Sequence, residues 1–302
     1  MLRTPPVLLN RNPLGFQAAI RKWHAHPRAL VEGDSWFQYD AVIAVNPTPA
    51  NLFLSTCEYF RCVSLSLAQV GDTVSHMLGP TPAFGKPGMP IETDPGGARN
   101  LGRIADYLEP KNRIDVLFFS GGGNDVVDNL ANLIRPFEAN ITAKDALIDE
   151  RVDVQMEALR RGYRRLLDVR DRVSPHTWLM THQYGVPNLQ KGGFRRLGMT
   201  LTKDWIKPEF RRQGYLAPSG PPTEPQLELM TDIIERLMRR FSDMLAGLQA
   251  EPQTRGLFVA PTRGVIDPSH WRDEMHLTDA GFRRAAQALR PTLRELYPVW
   301  TS

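Results

Sequence analysis

The feature that most constrains the fold is a regular alternation of short apolar runs with amphipathic segments. The apolar runs have the length and composition of buried strands, and they lie at residues 29–31, 62–67, 114–119, 177–181 and 256–260. The other segments repeat apolar residues every three or four positions, as helices do, at residues 101–108, 154–173, 227–248 and 279–289. This alternation predicts a mostly parallel sheet with helices on both faces.

Three short motifs follow the first, third and fifth of these predicted strands. They are Gly33-Asp34-Ser35, Gly121-Gly122-Gly123-Asn124-Asp125 and Asp273-Glu274-Met275-His276. Ligands of an open parallel sheet bind at the carboxyl ends of its strands. We therefore expect the three motifs to meet at one edge of the sheet and to form a single site.

Ser35 is the candidate nucleophile of that site. A serine hydroxyl is a weak nucleophile unless a base takes its proton. Ser35 follows a predicted strand and a glycine, so we expect its side chain at the rim of the sheet. A helix starting just after it would favour developing negative charge. Taken alone, Gly33-Asp34-Ser35 is equally typical of a plain turn.

His276 is the candidate base. Asp273 precedes it by three residues, close enough to accept a hydrogen bond from Nδ1 and fix the tautomer of the imidazole. The alternative is a surface turn before the last predicted helix, for which Thr278 is a plausible N-cap. His270 is the competing base, and the other histidines are weaker candidates: His24, His26, His76, His176 and His182.

Asn124 is the candidate oxyanion donor, because its amide can donate a hydrogen bond to a negatively charged oxygen. The glycines before it allow a close approach of the backbone to a ligand. A glycine-rich run also suggests a phosphate-binding loop. However, no Gly-Lys-Ser/Thr follows it and no Gly-x-Gly-x-x-Gly spacing occurs, so the sequence disfavours a nucleotide site.

Together these motifs resemble those of the SGNH (GDSL) hydrolase superfamily of serine esterases and lipases. Its first block is matched by Gly33-Asp34-Ser35, its third by Gly122-Gly123-Asn124-Asp125, and its fifth by Asp273 to His276. The glycine of its second block is best matched by Gly71. The motifs extend over most of the chain, and the chain departs from the family in having Trp36 where leucine is common after the serine.

The resemblance implies a three-layer α/β/α sandwich around a five-stranded parallel sheet, as in flavodoxin-like folds. It implies Ser35 as nucleophile, His276 as base and Asp273 as its partner. The oxyanion hole would consist of the Ser35 and Gly71 N–H groups and the Asn124 side chain. No metal or organic cofactor is needed for this chemistry.

The resemblance leaves the substrate open, because one scaffold hosts several ester chemistries. The first expectation is a small-molecule or lipid ester with a short to medium acyl chain. The alternatives are an O-acetyl esterase or acyltransferase acting on a glycan, and a catalytically inactive protein that only binds such a ligand.

Composition indicates a globular chain: 42% of the 302 residues are hydrophobic and 23% are charged. We predict one domain over residues 1–302, with a surface loop at 79–97 and an insertion at about 183–225. The insertion is predicted either to cap the acyl pocket or to be an ordinary solvated excursion. Its basic and aromatic residues are Lys191, Phe194, Arg195, Arg196, Lys203, Trp205, Lys207, Phe210, Arg211 and Arg212.

Charge and cysteine content limit the partners and the cellular compartment that can be expected. The formal net charge of +4 is spread along the chain, so no nucleic-acid partner is expected. Cys57 and Cys62 match no metal motif and are expected to be buried thiols. The sequence shows neither a signal peptide nor an apolar run of the roughly 18 residues that a membrane span needs. A cytoplasmic location is therefore expected, with export by a route that leaves no such signal still open.

Overall fold

The structure is a computed structural model that describes residues 9–10, 12–38, 51–79, 95–192, 195–196, 199–200 and 204–301. Two predicted regions fall partly outside these residues. Positions 80–94 belong to the predicted surface loop, and positions 193–194, 197–198 and 201–203 belong to the predicted insertion. Phe194 and Lys203 are among the latter.

All five predicted strands are present, and each is parallel to its neighbours in the sheet. A two-residue strand, which has no periodicity to detect, adds a sixth parallel member at one edge. A short antiparallel hairpin lies in the insertion. The strands are β1 (Leu9–Asn10), β2 (Arg28–Gly33), β3 (Val63–Ser66), β4 (Val116–Ser120), β5 (Trp178–His182), β6 (Arg195–Arg196), β7 (Met199–Thr200) and β8 (Leu257–Ala260).

The sheet order is β1-β3-β2-β4-β5-β8. Counted over the five predicted strands alone, this is the order second, first, third, fourth, fifth, which is the flavodoxin-like doubly wound arrangement. The direction of winding reverses between β2 and β4, whose last residues, Gly33 and Ser120, are paired. Ligands bind at such a switch point, and two of the three motifs begin there.

The helices lie in two layers, one on each face of the sheet. Their bounds are α1 (Pro13–Lys22), α2 (Ser35–Gln38), α3 (Leu52–Cys57), α4 (Val74–Leu78), α5 (Pro95–Leu108), α6 (Gly123–Asp128), α7 (Leu130–Leu133), α8 (Asp149–Val173), α9 (Ile206–Arg212), α10 (Glu224–Gln249), α11 (Asp279–Ala286) and α12 (Arg290–Leu296). The predicted helix at 279–289 ends earlier than expected, because a second helix starts at Arg290.

Two neighbouring phenylalanines of β4 show how the layers are arranged. Successive side chains of a strand point to opposite faces of the sheet. The Phe118 ring packs on Phe53 of α3, whereas the Phe119 ring packs on Tyr163 of α8. Helix α11 contacts α3, and α10 contacts α8. The structure is therefore the predicted α/β/α sandwich, with its apolar core on both sides of the sheet.

Three smaller expectations also have a structural outcome. Thr278 caps α11 by accepting a hydrogen bond from the Gly281 N–H at 3.1 Å. Cys57 and Cys62 are buried free thiols. Within the described part of the chain, the helices are too short or too polar to cross a membrane.

Candidate active site

The first motif makes a tight turn where β2 ends. Gly33 has a φ of 155°, and a Cβ atom there would lie 2.7 Å from the Ser120 carbonyl oxygen, so only glycine fits. The Asp34 N–H donates to that same carbonyl at 3.1 Å. Helix α2 starts at the next residue, Ser35, whose N–H lies in the first helical turn and therefore has no partner within the helix.

Ser35, His276 and Asp273 lie in one hydrogen-bonded row. His276 Nε2 is 2.9 Å from Ser35 Oγ. His276 Nδ1 is 3.0 and 3.1 Å from the two carboxylate oxygens of Asp273. Because the carboxylate can only accept, Nδ1 carries the hydrogen and Nε2 is left to take a proton from the serine. The structure thus brings the three predicted residues together in the order that nucleophilic catalysis requires.

The Asp273 side chain is fixed by its own turn. Its Oδ1 accepts the backbone N–H groups of Met275 and His276 at 2.9 and 2.8 Å. Burial favours the neutral acid, but the hydrogen bond and charge of His276 and these backbone N–H groups outweigh it, so the pKa of Asp273 lies below its ordinary value. The carboxylate is therefore ionised and can stabilise an imidazolium next to it.

The competing histidines lie elsewhere. The His270 Nδ1 accepts the N–H of Asp267 at 3.1 Å in a local turn. His182 contacts Ser120 and not the nucleophile. The half-exposed His76 lies 3.9 Å from Asp72, a carboxylate four residues away that the sequence analysis overlooked.

The predicted oxyanion donors follow β3 and β4. The Asn124 amide donates to the Asp72 carbonyl at 2.8 Å, and its second hydrogen is left for a ligand oxygen. Gly71 has a φ of 85° in a turn closed by an Asp72 N–H to Gln69 carbonyl bond of 3.3 Å, the position where a type II turn needs glycine. A bond from the Gln69 N–H to the Gly33 carbonyl ties this turn to the end of β2 at 2.8 Å.

No family model and no curated protein matches the chain. Among solved structures, it is similar to a lipase from a goat rumen metagenome (13% identity, TM-score 0.48, covering 88% of this chain and 96% of that chain). It is also similar to an extracellular lipase from Streptomyces rimosus (10% identity, TM-score 0.46, covering 88% of this chain and 99% of that chain). A third similar structure is a carbohydrate acetylesterase from Sinorhizobium meliloti (12% identity, TM-score 0.44, covering 90% of this chain and 100% of that chain). At such identities the residues of the site itself must carry the assignment.

The strand order and the meeting of the three motifs agree with the resemblance that the sequence predicts. The remaining features of the site were not predicted from the sequence.

The glycines before Asn124 make room for the protein's own rings. A Cβ at Gly122 would collide with the ring of Phe241, and one at Gly123 would lie 2.9 Å from the ring of Tyr184. These two glycines are therefore needed for packing, and a close approach of this run to a ligand stays a prediction.

A buried polar cluster lies directly behind the nucleophile. Ser120 Oγ is 2.7 Å from Asp34 Oδ1 and 2.9 Å from His182 Nε2. The Tyr184 hydroxyl donates to Asp34 Oδ2 at 2.5 Å. All four side chains are almost fully buried. The only sequence signal for this cluster is that Asp34, Ser120 and His182 each stand at or next to the carboxyl end of a strand.

Trp36 connects helix α2, which begins at Ser35, to the loop that carries His276. Its indole N–H donates to the Met275 carbonyl at 3.2 Å, and its ring stacks on His182 with centroids 5.0 Å apart. The residue that departs from the family pattern therefore fixes α2 against the loop that carries His276.

The insertion contacts the catalytic loop through Glu274. This buried carboxylate accepts the N–H groups of Trp205 and Ile206, at 2.6 and 3.0 Å, at the start of α9. Lys207 Nζ lies 3.3 Å from it. The Trp205 ring packs edge-on against His276 with centroids 5.2 Å apart. Because Lys207 and Phe210 are buried, this part of the insertion is not a solvated basic face.

An apolar pocket lies beside the candidate catalytic residues. Its lining includes Trp36, Gly123 and Met275, which are the chain neighbours of Ser35, Asn124 and His276. The remaining lining residues are Val127, Tyr184, Gly185, Pro187, Met238 and Trp271. The free space of about 20 Å³ is close to what one water molecule needs.

Proposed function

We propose that the protein is a serine hydrolase that cleaves a carboxylic ester of short to medium acyl chain through an acyl-enzyme. The observation that carries this proposal is the 2.9 Å contact between Ser35 Oγ and His276 Nε2, with Asp273 on the other ring nitrogen. A binding protein without catalysis has no need for a base aimed at a serine hydroxyl.

In the first half of the reaction, His276 takes the Ser35 proton as Oγ attacks the ester carbonyl. The Ser35 and Gly71 N–H groups and the Asn124 amide stabilise the negative oxygen of the tetrahedral intermediate. His276 then gives the proton to the leaving alcohol, and the acyl group remains on Ser35. In the second half, His276 activates a water molecule that releases the acid and restores the serine.

The apolar pocket supports the short end of the acyl range. Its free space of about 20 Å³ is closer in size to a methyl group than to a longer chain, so a longer chain requires Met238 or Met275 to move. Methionine has an unbranched, flexible side chain, so such movement is inexpensive and allows medium chains. A small pocket also suits the alternative, an O-acetyl esterase or acyltransferase acting on a glycan, whose substrate differs in its alcohol and has a short acyl group.

We further propose that the insertion forms one wall of this site in a single domain. The support is the pair of contacts made by its helix α9: the Trp205 ring against His276, and the helix N-terminus on Glu274.

Two measurements test the proposed function. A fluorophosphonate probe is expected to label Ser35, and Ser35→Ala is expected to lose labelling and to lower ester hydrolysis by roughly 10³-fold or more. A panel of p-nitrophenyl esters of increasing acyl length, run beside acetylated sugars, then separates the two substrate classes. Labelling of a different serine, or full activity of folded Ser35→Ala, would contradict the proposal.

A further inference from the structure

The cluster behind the nucleophile contains more short contacts than hydroxyl hydrogens. Tyr184 Oη to Asp34 Oδ2 is 2.5 Å, Ser120 Oγ to Asp34 Oδ1 is 2.7 Å, Ser120 Oγ to His182 Nε2 is 2.9 Å, and Ser120 Oγ to Tyr184 Oη is 3.0 Å. Each distance is that of a hydrogen bond. Tyr184 and Ser120 have one hydroxyl hydrogen each, so two hydrogens are available for four contacts, three of which involve Asp34 or His182.

The imidazole of His182 cannot supply the missing hydrogen in its neutral form. Its Nδ1 lies 2.9 Å from the Gln183 carbonyl, which only accepts, so Nδ1 carries the hydrogen of a neutral ring. Nε2 is then a bare acceptor. If Asp34 is ionised as well, one contact of 2.7 or 2.9 Å sets two lone pairs against each other in a site without bulk water.

We propose that Asp34, Ser120 and His182 hold one additional proton in common, so that this buried unit has no net charge in the working enzyme. The proton has two placements. On Asp34 it is donated to Ser120, whose own hydrogen goes to His182 Nε2. On His182 it is donated to Ser120, whose hydrogen goes to the Asp34 carboxylate. Either placement satisfies the three contacts of Asp34 and His182, and the longest distance, 3.0 Å between the Ser120 and Tyr184 oxygens, then joins two hydroxyl groups that each donate elsewhere.

The surroundings favour a neutral unit. Burial raises the pKa of Asp34, against hydrogen bonds from Tyr184 and Ser120 that lower it. Burial lowers the pKa of His182 to about 4. The other titratable groups that face the unit are Tyr184 and the side chains of Asp125, Tyr163 and His276. Tyr163 donates to the Gly121 carbonyl at 2.8 Å, outside the three contacts.

The shared proton matters for catalysis if Ser35 works as proposed above. Asp34 directly precedes Ser35, and its carboxyl group accepts the Trp36 N–H at 3.0 Å, so it positions the helix that carries the nucleophile. An uncompensated negative charge there opposes the charge that develops on the substrate oxygen. We therefore expect kcat to decline at alkaline pH when the proton leaves, with little change in KM.

The number of protons in the cluster can be measured without substrate. A negative result for the shared proton is therefore distinguishable from a negative result for the proposed esterase activity. In the wild-type protein at neutral pH, NMR of labelled histidine reports whether His182 Nε2 is protonated, and the Asp34 side-chain carbon signal reports whether the carboxyl group is. A proton on either group is expected. A bare Nε2 together with an ionised Asp34 in the same sample would overturn the inference.

The kinetic test compares variants with opposite expected effects. Asp34→Asn has no proton to lose, so the alkaline decline of kcat should vanish. His182→Phe keeps an aromatic ring that stacks on Trp36 but leaves Asp34 as the only group that can hold the proton. The loss of one hydrogen bond should lower the apparent pKa of the proton by about one unit, so the decline of kcat should begin at lower pH. Tyr163→Phe is the control and should leave the profile of kcat against pH unchanged. Parallel, pH-independent losses in folded Asp34→Asn and His182→Phe would contradict the catalytic consequence.

Discussion

At the scale of single residues, the proposed base His276 and its partner Asp273 have different roles. In the proposed mechanism His276 exchanges a proton, whereas Asp273 orients the ring and stabilises its charged form. We expect His276→Ala to be about as damaging as the loss of Ser35, and Asp273→Asn to retain more activity, because in the serine protease subtilisin loss of the carboxylate lowers kcat less than loss of the base. kcat/KM for a p-nitrophenyl ester measures both effects.

His270→Ala is the matched control, because His270 belongs to a neighbouring turn of the same loop region. It should retain most activity. An inactive His270→Ala beside an active His276→Ala would mean that the base is assigned to the wrong histidine.

Asn124 is expected to act on the transition state through its second amide hydrogen. Its first hydrogen is bound to the Asp72 carbonyl, so Asn124→Ala removes both a donor and a contact between loops. We predict a drop in kcat of about 10²–10³, with a smaller effect on KM. Thermal unfolding separates the two contributions, because a purely structural role lowers stability and activity together. Near-normal kcat in a stable Asn124→Ala protein would exclude the donor role.

At the scale of elements, α9 and the catalytic loop are joined by a buried carboxylate. Glu274 accepts two N–H groups from the start of α9 and lies between Asp273 and His276 in the chain. Ile206 and Phe210 of α9 are completely buried. Replacing the whole of residues 190–213 by a linker would therefore expose the core, and point substitutions test the role of the insertion more cleanly.

Trp205→Ala should widen the site next to His276 while α9 stays in place. We predict a shift of the acyl-length profile towards longer chains, with activity on acetyl esters kept or raised. Trp205→Phe retains an aromatic ring and is the matched control. The measurement is kcat/KM across a series of p-nitrophenyl esters. An unchanged acyl-length profile in folded Trp205→Ala would show that the start of α9 does not border the acyl site.

At the scale of the whole molecule, the stability of the fold should depend on pH through Glu32. This strand residue is 1% exposed, and its Oε1 accepts the neighbouring Gly33 N–H at 3.1 Å. Burial, reinforced by the charge of Asp72, raises its pKa from 4.5 to about 8. Between those values the unfolded chain releases the proton and the folded chain keeps it. The free energy of unfolding therefore falls as pH rises through this window.

Glu32→Gln preserves the acceptor for Gly33 and removes the titration. The Tm of the variant should rise relative to that of wild type as pH rises from about 4.5 towards about 8. The corresponding difference in the free energy of unfolding grows by at most about 1.4 kcal/mol per pH unit. Glu228→Gln, at an exposed position of α10, is the control and should show no such trend. A Tm difference independent of pH for Glu32→Gln would contradict this prediction.

The sequence alone determined the elements and the candidate catalytic residues. Strand and helix patterns are local, since they depend on apolar residues two to four positions apart. The Asp273–His276 pair is also local, because both residues belong to one turn. Ser35 and Asn124 were predicted because each follows a strand, and the carboxyl ends of parallel strands share one edge of the sheet. Their catalytic roles stay predictions for the experiments above.

Only the tertiary structure decided which side chains surround that site. Ser35 and His276 are 241 residues apart, and Asp34 and Tyr184 are 150 apart. The shared cluster behind the serine, the Trp205 ring on the base and the rings that fill the space beside Gly122 and Gly123 all depend on such distant pairs. No local pattern encodes them, because they result from the order in which the strands pair and from how the helices pack across the sheet.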